Sequence, residues 1–168
     1  QTRIGAMFTG PKNGQIETSG RIEGDFYGGG PENKPRARMR HAYMELKWPD
    51  EHFSVLAGQT WDVISPLYPT TLNFVIGWWA GNLGFRRPQI RLTKEFSNGD
   101  DLDLKFEGAI ARTVGIDNDI QTPALDTGSD AGVPALQGRI SASMPIFGQQ
   151  KTTIGLSGHW GEEEYDTT

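Results

Sequence analysis

Apolar and polar residues alternate with a period of two along most of the chain, and clusters of turn-forming residues interrupt the alternation. Segment 2–9 places Ile4, Ala6 and Phe8 on one face, with Arg3, Gly5 and Met7 on the other. After PKNGQ (11–15), whose Asn13-Gly14 pair is a hairpin signal, segment 16–27 sets Ile22, Gly24 and Phe26 against Ser19, Arg21, Glu23 and Asp25. Segment 36–48 is blurred. Arg36, Arg38 and Arg40 share one face and Met39, His41 and Tyr43 the other, yet Met44, Leu46 and Trp48 then fall on the arginine face. That conflict predicts a β-bulge near Ala42. Segment 53–60 follows, and after a long connection come 86–96, 102–112, 136–146 and 151–160. In these, Ile90, Leu92, Phe106, Ile140 and Leu156 oppose Arg91, Lys105, Glu107, Arg139 and Ser157.

The pattern predicts about eight antiparallel strands, joined alternately by short turns and longer loops. Such a rhythm is the sequence form of an outer-membrane β-barrel, whereas a soluble sandwich has no reason to keep every second connection short. Phe8, Trp48, Phe53, Phe96 and Phe147 all sit beside short turns, as a girdle at one membrane interface requires. Phe26, Tyr27, Phe85 and Trp160 are expected near the opposite, long-loop end.

One connection does not fit a compact domain. Trp61 to Phe85, WDVISPLYPTTLNFVIGWWAGNLGF, is too long for an ordinary loop and too rich in apolar residues to be disordered. Its prolines and glycines exclude a regular helix or central strand. The charged faces of the neighbouring strands give it a destination. Arg38, Arg40, Arg87 and Arg91 begin their strands at the long-loop end, and Arg21, Glu23 and Asp25 lie towards that same end. Ionised groups are costly against lipid, so in a barrel this face lines the lumen. An apolar loop folded inward beside crossed charges would form a polarised constriction, with Arg21, Glu23, Asp25, Arg38, Arg40, Trp61, Asp62, Arg87, Gln89 and Arg91 as the pore-lining candidates. The plainer reading is that these charges neutralise one another and stabilise the wall.

Composition narrows the classes further. The 168 residues carry a net charge of −5 and a pI near 5.2, which argues against a nucleic-acid binder. There is no cysteine, and the three histidines form no i,i+4 pair, so neither a thiol nucleophile nor a zincin-type metal site is expected. No apolar run reaches the 18 residues or so of a membrane-spanning helix. The opening QTRIGAMFTG reads as a strand rather than a signal peptide.

The residues also resemble a known family. LAGQTWD (56–62), the loop with TLNF (71–74) and RRPQIRLT (86–93) look like the signature region of DcaP-like porins. RIEGDFYGG (21–29), RMRHAYMEL (38–46) and LSGHWGEEEY (156–165) are similar to that family as well. Arg87 before Pro88-Gln89-Ile90-Arg91 is a small departure from the family's order, and Arg86 is an additional charge. The resemblance implies a homotrimeric, roughly sixteen-stranded channel of the Gram-negative outer membrane that passes small hydrophilic, often anionic, solutes. It also implies that loop 61–85 constricts the pore.

The expectation is therefore an all-β fold, residues 1–168 forming part of an antiparallel transmembrane β-barrel as an internal fragment. It contacts outer-membrane lipid, and neither a cofactor nor an enzymatic activity is expected. Two alternatives stand beside it. One is a soluble β-sandwich, a carbohydrate-binding module or glycosidase-like domain, in which Trp61, Trp78, Trp79 and Trp160 stack on sugars and Glu23/Asp25 supply carboxylates. The other is a complete eight-stranded barrel with a structural role, whose filled interior would leave little room for the long loop.

Overall fold

The computed structural model describes residues 2–26, 28–29, 33–34, 36–64, 66, 85–99, 101–113, 132–147 and 150–162, the side chain of Phe147 excepted. Eight strands follow one another: β1 Arg3–Thr9, β2 Glu17–Asp25, β3 Arg38–Trp48, β4 Phe53–Trp61, β5 Arg86–Asn98, β6 Leu102–Ala111, β7 Ala135–Phe147 and β8 Gln150–Trp160. Each pairs antiparallel with the next in a single sheet ordered β1 to β8. The sheet is not closed, because β1 pairs only with β2 and β8 only with β7. All eight expected strands are present, their ends within about two residues of the alternation's limits.

Period two carries each strand's side chains to opposite faces, and the pairing aligns like faces across the sheet. One ladder rung joins Ile90, Ile110, Leu136 and Trp160. The rung of opposite parity runs through Thr93, Glu107, Arg139 and Ser157. The result is one apolar face and one charged face. Met7 is an exception on the charged face of edge strand β1, and Lys94 is an exception on the apolar one.

The bulge in β3 is real, and it sits two residues before the expected position. Glu23 pairs with His41 but Gly24 with Met39, so Arg40 is the extra residue. An extra residue reverses the side-chain parity beyond it. Met39 thus joins Ala42, Met44 and Leu46 on the apolar face, while Arg38, Arg40, His41 and Tyr43 all face the charged side. The expectation that His41 and Tyr43 oppose the arginines is corrected by this register.

Burial runs opposite to that of a half-solvated sheet. Ile4, Met44, Ile90, Ile140, Ile154 and Leu156 are all more than half exposed on the apolar face, Leu156 at 79%. The buried residues are instead Asp25, Arg40, His41, Thr60, Gln89, Gln137 and Ser141, with the small or apolar Leu56, Ala109, Ala111 and Ala135. Every one of these lies on the charged face. Asp62 and Val63, just beyond β4, are buried as well.

The sheet curls towards its charged face. Four spacings of about 4.8 Å would hold β8 roughly 19 Å from β4 on a flat sheet, and three residues span at most about 11 Å. Yet Ile64, three residues past Trp61, accepts a hydrogen bond from Ser157 Oγ of β8 at 2.6 Å. Gly58 marks one place where the curl is built in. Its φ of 130° is a conformation other residues avoid, and an added Cβ would lie 2.3 Å from the Ala42 carbonyl oxygen.

Candidate functional site: the charged face

Two groups of charges occupy the concave face, separated by the strand that leads into the long loop. The first belongs to β2 and β3. Arg38 makes a two-pronged contact with Asp25, Nε at 3.0 Å and Nη2 at 2.7 Å. Arg40, carried inward by the bulge, donates to Glu23 at 2.6 Å and to Asp25 at 2.9 Å. Arg21 donates to the other oxygen of Glu23. Two carboxylates and three guanidinium groups thus form one continuous network, with the Asp25 side chain fully buried and Arg40 only 5% exposed. Charge-assisted pairs of this geometry are the strong ones.

Where the β3–β4 ladder stops at Ala42 and Gln59, side chains take over the joint. Gln59 donates to the Met39 carbonyl at 2.9 Å, and His41 Nδ1 lies 3.0 Å from Thr60 Oγ1. Beside them the Arg86 guanidinium stacks over the Trp61 ring at 4.3 Å, and His41 meets the edge of the same ring at 6.1 Å.

The chain beyond β4 then turns onto the concave face. Asp62 N–H donates to the Phe85 carbonyl at 2.9 Å, which ties the two feet of the long connection together. Val63 N–H donates to Gln137 Oε1 on β7 at 3.0 Å, and Ile64 reaches β8 as described. Gln137 shares a ladder rung with Ala109, Arg91 and Leu56, so Val63 has doubled back over strand positions that precede it. Residues 65 and 67–84 lie outside the described part of the structure, as do Trp78 and Trp79. Polar groups of β5 hold the turn. Gln89 Nε2 donates to the carbonyls of Thr60 and Trp61 at 3.1 Å each, and Arg91 donates to the Trp61 carbonyl and to Gln89 Oε1. Arg87 Nε sits 3.0 Å from Asp62 Oδ1, whose side chain is fully buried.

The second group centres on Glu107 of β6. Lys105 approaches its carboxylate at 3.4 Å, Arg139 at 3.6 Å and Arg91 at 3.9 Å. The Arg139 guanidinium lies across Gly155 of β8, where any Cβ would fall 2.6 Å from Nη2. Sequence reasoning placed Glu107, Lys105 and Arg139 on the charged face without singling them out. Their alternation was visible, but the landing of the loop beside them was not. Val63 to Gln137 and Ile64 to Ser157 are contacts 74 and 93 residues apart, and nothing local encodes them.

Of the candidate residues, Arg21, Glu23, Asp25, Arg38 and Arg40 come together as one network, and Trp61, Asp62, Arg87, Gln89 and Arg91 as a second group at the foot of the loop. At the short-turn end of the apolar face, Phe8 and Phe96 are both more than half exposed, and Trp48 packs on Phe53 at 5.5 Å between ring centres. Phe96 and Phe106 meet edge to face at 5.8 Å, and the Lys94 ammonium lies 5.4 Å from the Phe96 ring. Phe26, Phe85 and Trp160 are exposed near the other end, while Tyr27 lies outside the described residues. Among the described residues, no group of three or more histidine, aspartate or glutamate side chains is placed to hold a metal ion. No protein-family model, curated protein or solved structure matches the chain.

Proposed function

We propose that this chain is a segment of an outer-membrane β-barrel channel of the DcaP-like type, through which small hydrophilic solutes, anions in particular, diffuse passively. In this reading the exposed apolar face meets the acyl chains of outer-membrane lipid. The concave charged face lines the water-filled passage, and the loop that starts at Trp61 narrows it. Edge strands β1 and β8 would continue into further strands of a roughly sixteen-stranded barrel, assembled as a homotrimer.

The observation that carries the proposal is the exchange of burial between the two faces. Large apolar side chains are exposed across the whole width of the sheet, while carboxylates and guanidinium groups are covered. A contiguous apolar surface of this extent in water is an aggregation liability, whereas hydrocarbon is its matching solvent. A sandwich would need a second sheet over the apolar face, and the eight described strands form one sheet.

The test is made on the full-length protein that carries this chain. Extraction from membranes should require detergent, the folded form should migrate differently from the boiled form in a gel, and the purified protein should conduct ions across a planar bilayer. Full solubility without detergent would defeat the proposal.

A further inference from the structure

We infer that the charges that select the permeating ion are Arg91, Lys105 and Arg139 around Glu107, and not the arginines of the β2–β3 network. The inference rests on the channel reading above and names the selecting site within it. Three observations support it.

The first is how far each cation is already committed. Arg38 and Arg40 hold Asp25 and Glu23 at 2.6–3.0 Å with hydrogen-bond geometry, two nitrogens of each guanidinium being engaged by fixed carboxylates. Around Glu107 the approaches of Lys105, Arg139 and Arg91 are 3.4, 3.6 and 3.9 Å, and none is a hydrogen bond, while Arg91 donates instead to Gln89 Oε1 and the Trp61 carbonyl and holds its place as a fixed charge. The Lys105 and Arg139 donors facing that carboxylate attract it without being saturated by it. A passing anion can take those hydrogen bonds at little cost. To obtain the same from Arg40 it would have to dismantle a buried network.

The second is the balance of charge. Lys105 also lies 3.6 Å from Glu95, so Lys105, Arg91 and Arg139 against Glu107 and Glu95 leave a local excess of one positive charge, equal to that of three arginines against Glu23 and Asp25, but held at 3.4–3.9 Å rather than in hydrogen bonds. Glu107 has a role in this arrangement. Conduction requires an ion to bind well enough to enter and weakly enough to leave. A carboxylate fixed among three cations lowers their field, so that an anion that enters is not held.

The third is position. Ile64 lands on Ser157, which pairs with Arg139, which pairs with Glu107. Val63 lands on Gln137, two residues from Arg139 on the same face, and the Gln137 Nε2 donor is buried without a partner among the described residues. The inward chain therefore crosses the concave face on the rung that carries the loosely paired charges. A solute passing under it has to pass them.

The experiment measures reversal potentials of the full-length protein in planar bilayers across a potassium chloride gradient, with chloride as the probe anion. Glu107→Gln should raise the chloride-to-potassium permeability ratio at least several-fold, since one unit charge at about 4 Å in water weights each ion by roughly fivefold, in opposite directions for the two signs. Lys105→Gln should lower the ratio. Its side chain is 40% exposed, so this variant decides the matter where Glu107→Gln fails to insert. Arg38→Gln should lower the ratio by less than Lys105→Gln does. A ratio that stays put or falls in Glu107→Gln, or an Arg38→Gln effect larger than that of Lys105→Gln, overturns the assignment while leaving the channel reading intact. A wild-type protein that conducts nothing overturns the channel reading itself.

Discussion

The two faces of this sheet are made from the same eight strands, one residue apart, and their burial is opposite. On the apolar face the side chains are large and exposed, and no described residue packs above them. On the charged face the side chains are polar, and many are covered by the curl of the sheet and by residues 62–64. A sheet half immersed in water shows the reverse, with its apolar side against a core. The difference teaches that burial here follows curvature rather than hydrophobicity. The concave side is buried because strands and the inward chain close over it, and it is tolerable because its charges are paired.

The largest expected effect breaks the charged side of this comparison. Asp25→Ala removes the carboxylate that holds both Arg38 and Arg40, and leaves Arg40 buried with Glu23 alone. Uncompensated buried charge costs about 3–5 kcal/mol. Thermal unfolding of the full-length protein in detergent should fall accordingly, and Arg40→Met in the Asp25→Ala background should recover part of the loss. No change in unfolding temperature would mean that the network is solvated rather than structural.

A matched pair on β8 tests the other side. Leu156 and Thr153 are both exposed, on opposite faces. Were water the solvent of both, arginine at either site would change stability by no more than ~0.5 kcal/mol. With lipid on one side, Leu156→Arg should cost about 2–4 kcal/mol, depending on depth, and Thr153→Arg almost nothing. Unfolding of the bilayer-inserted protein by denaturant gives both values, and equal values would erase the distinction between the faces.

Glycines sharpen the comparison at smaller scale. Gly58 is pressed against the Ala42 carbonyl with a positive φ, while a Cβ on Gly138 meets nothing within 4 Å on the apolar face. Gly58→Ala should lower stability by about 2 kcal/mol, because the strained backbone has no room to relax. Gly138→Ala should be neutral or slightly stabilising, through the restricted unfolded chain. The same denaturant unfolding measures both, and a tolerated Gly58→Ala would show that the kink is not needed for the curl.

The strands were legible in the sequence because period two survives along each of them, and because Asn13-Gly14 and similar clusters mark the turns. The bulge was legible only as a conflict. Met39 and Met44 differ in parity, and an extra residue anywhere between them resolves it. Only the pairing of Glu23 with His41 and Gly24 with Met39 selects Arg40. That shift of two residues puts His41 on the charged face beside Thr60, where an extra residue at Ala42 would leave it on the opposite one. The β2–β3 charge cluster was foreseen because strands joined in sequence bring Asp25 and Arg38 together. The Glu107 cluster was seen as polar and passed over, since its neighbour is a loop whose landing on Gln137 and Ser157 depends on curvature no local pattern records.

The smallest effect concerns the rim of the apolar face, where the contrast between lipid and water should soften. Phe96 lies near a short turn, edge-on to Phe106 and close to the Lys94 ammonium, and is itself 52% exposed. Lys94 is a charged exception on this face, as Arg86 is at the other end of β5, and its ammonium reaches the Glu51 carbonyl in the turn rather than the middle of the sheet. That is how a long cationic side chain behaves at a membrane interface, with its stem against apolar surface and its head in the polar layer. Phe96→Leu keeps the apolar volume but loses the ring contacts, worth about 1 kcal/mol. Phe96→Trp retains an aromatic ring suited to the interface and should cost less. The order Trp above Leu should appear in denaturant unfolding of the bilayer-inserted protein. It should invert for the same pair of substitutions at Ile140, which sits farther from the turns and where a bulky indole has no polar layer to reach. A common order at both sites would mean that the face is apolar along its length without a girdle at its end.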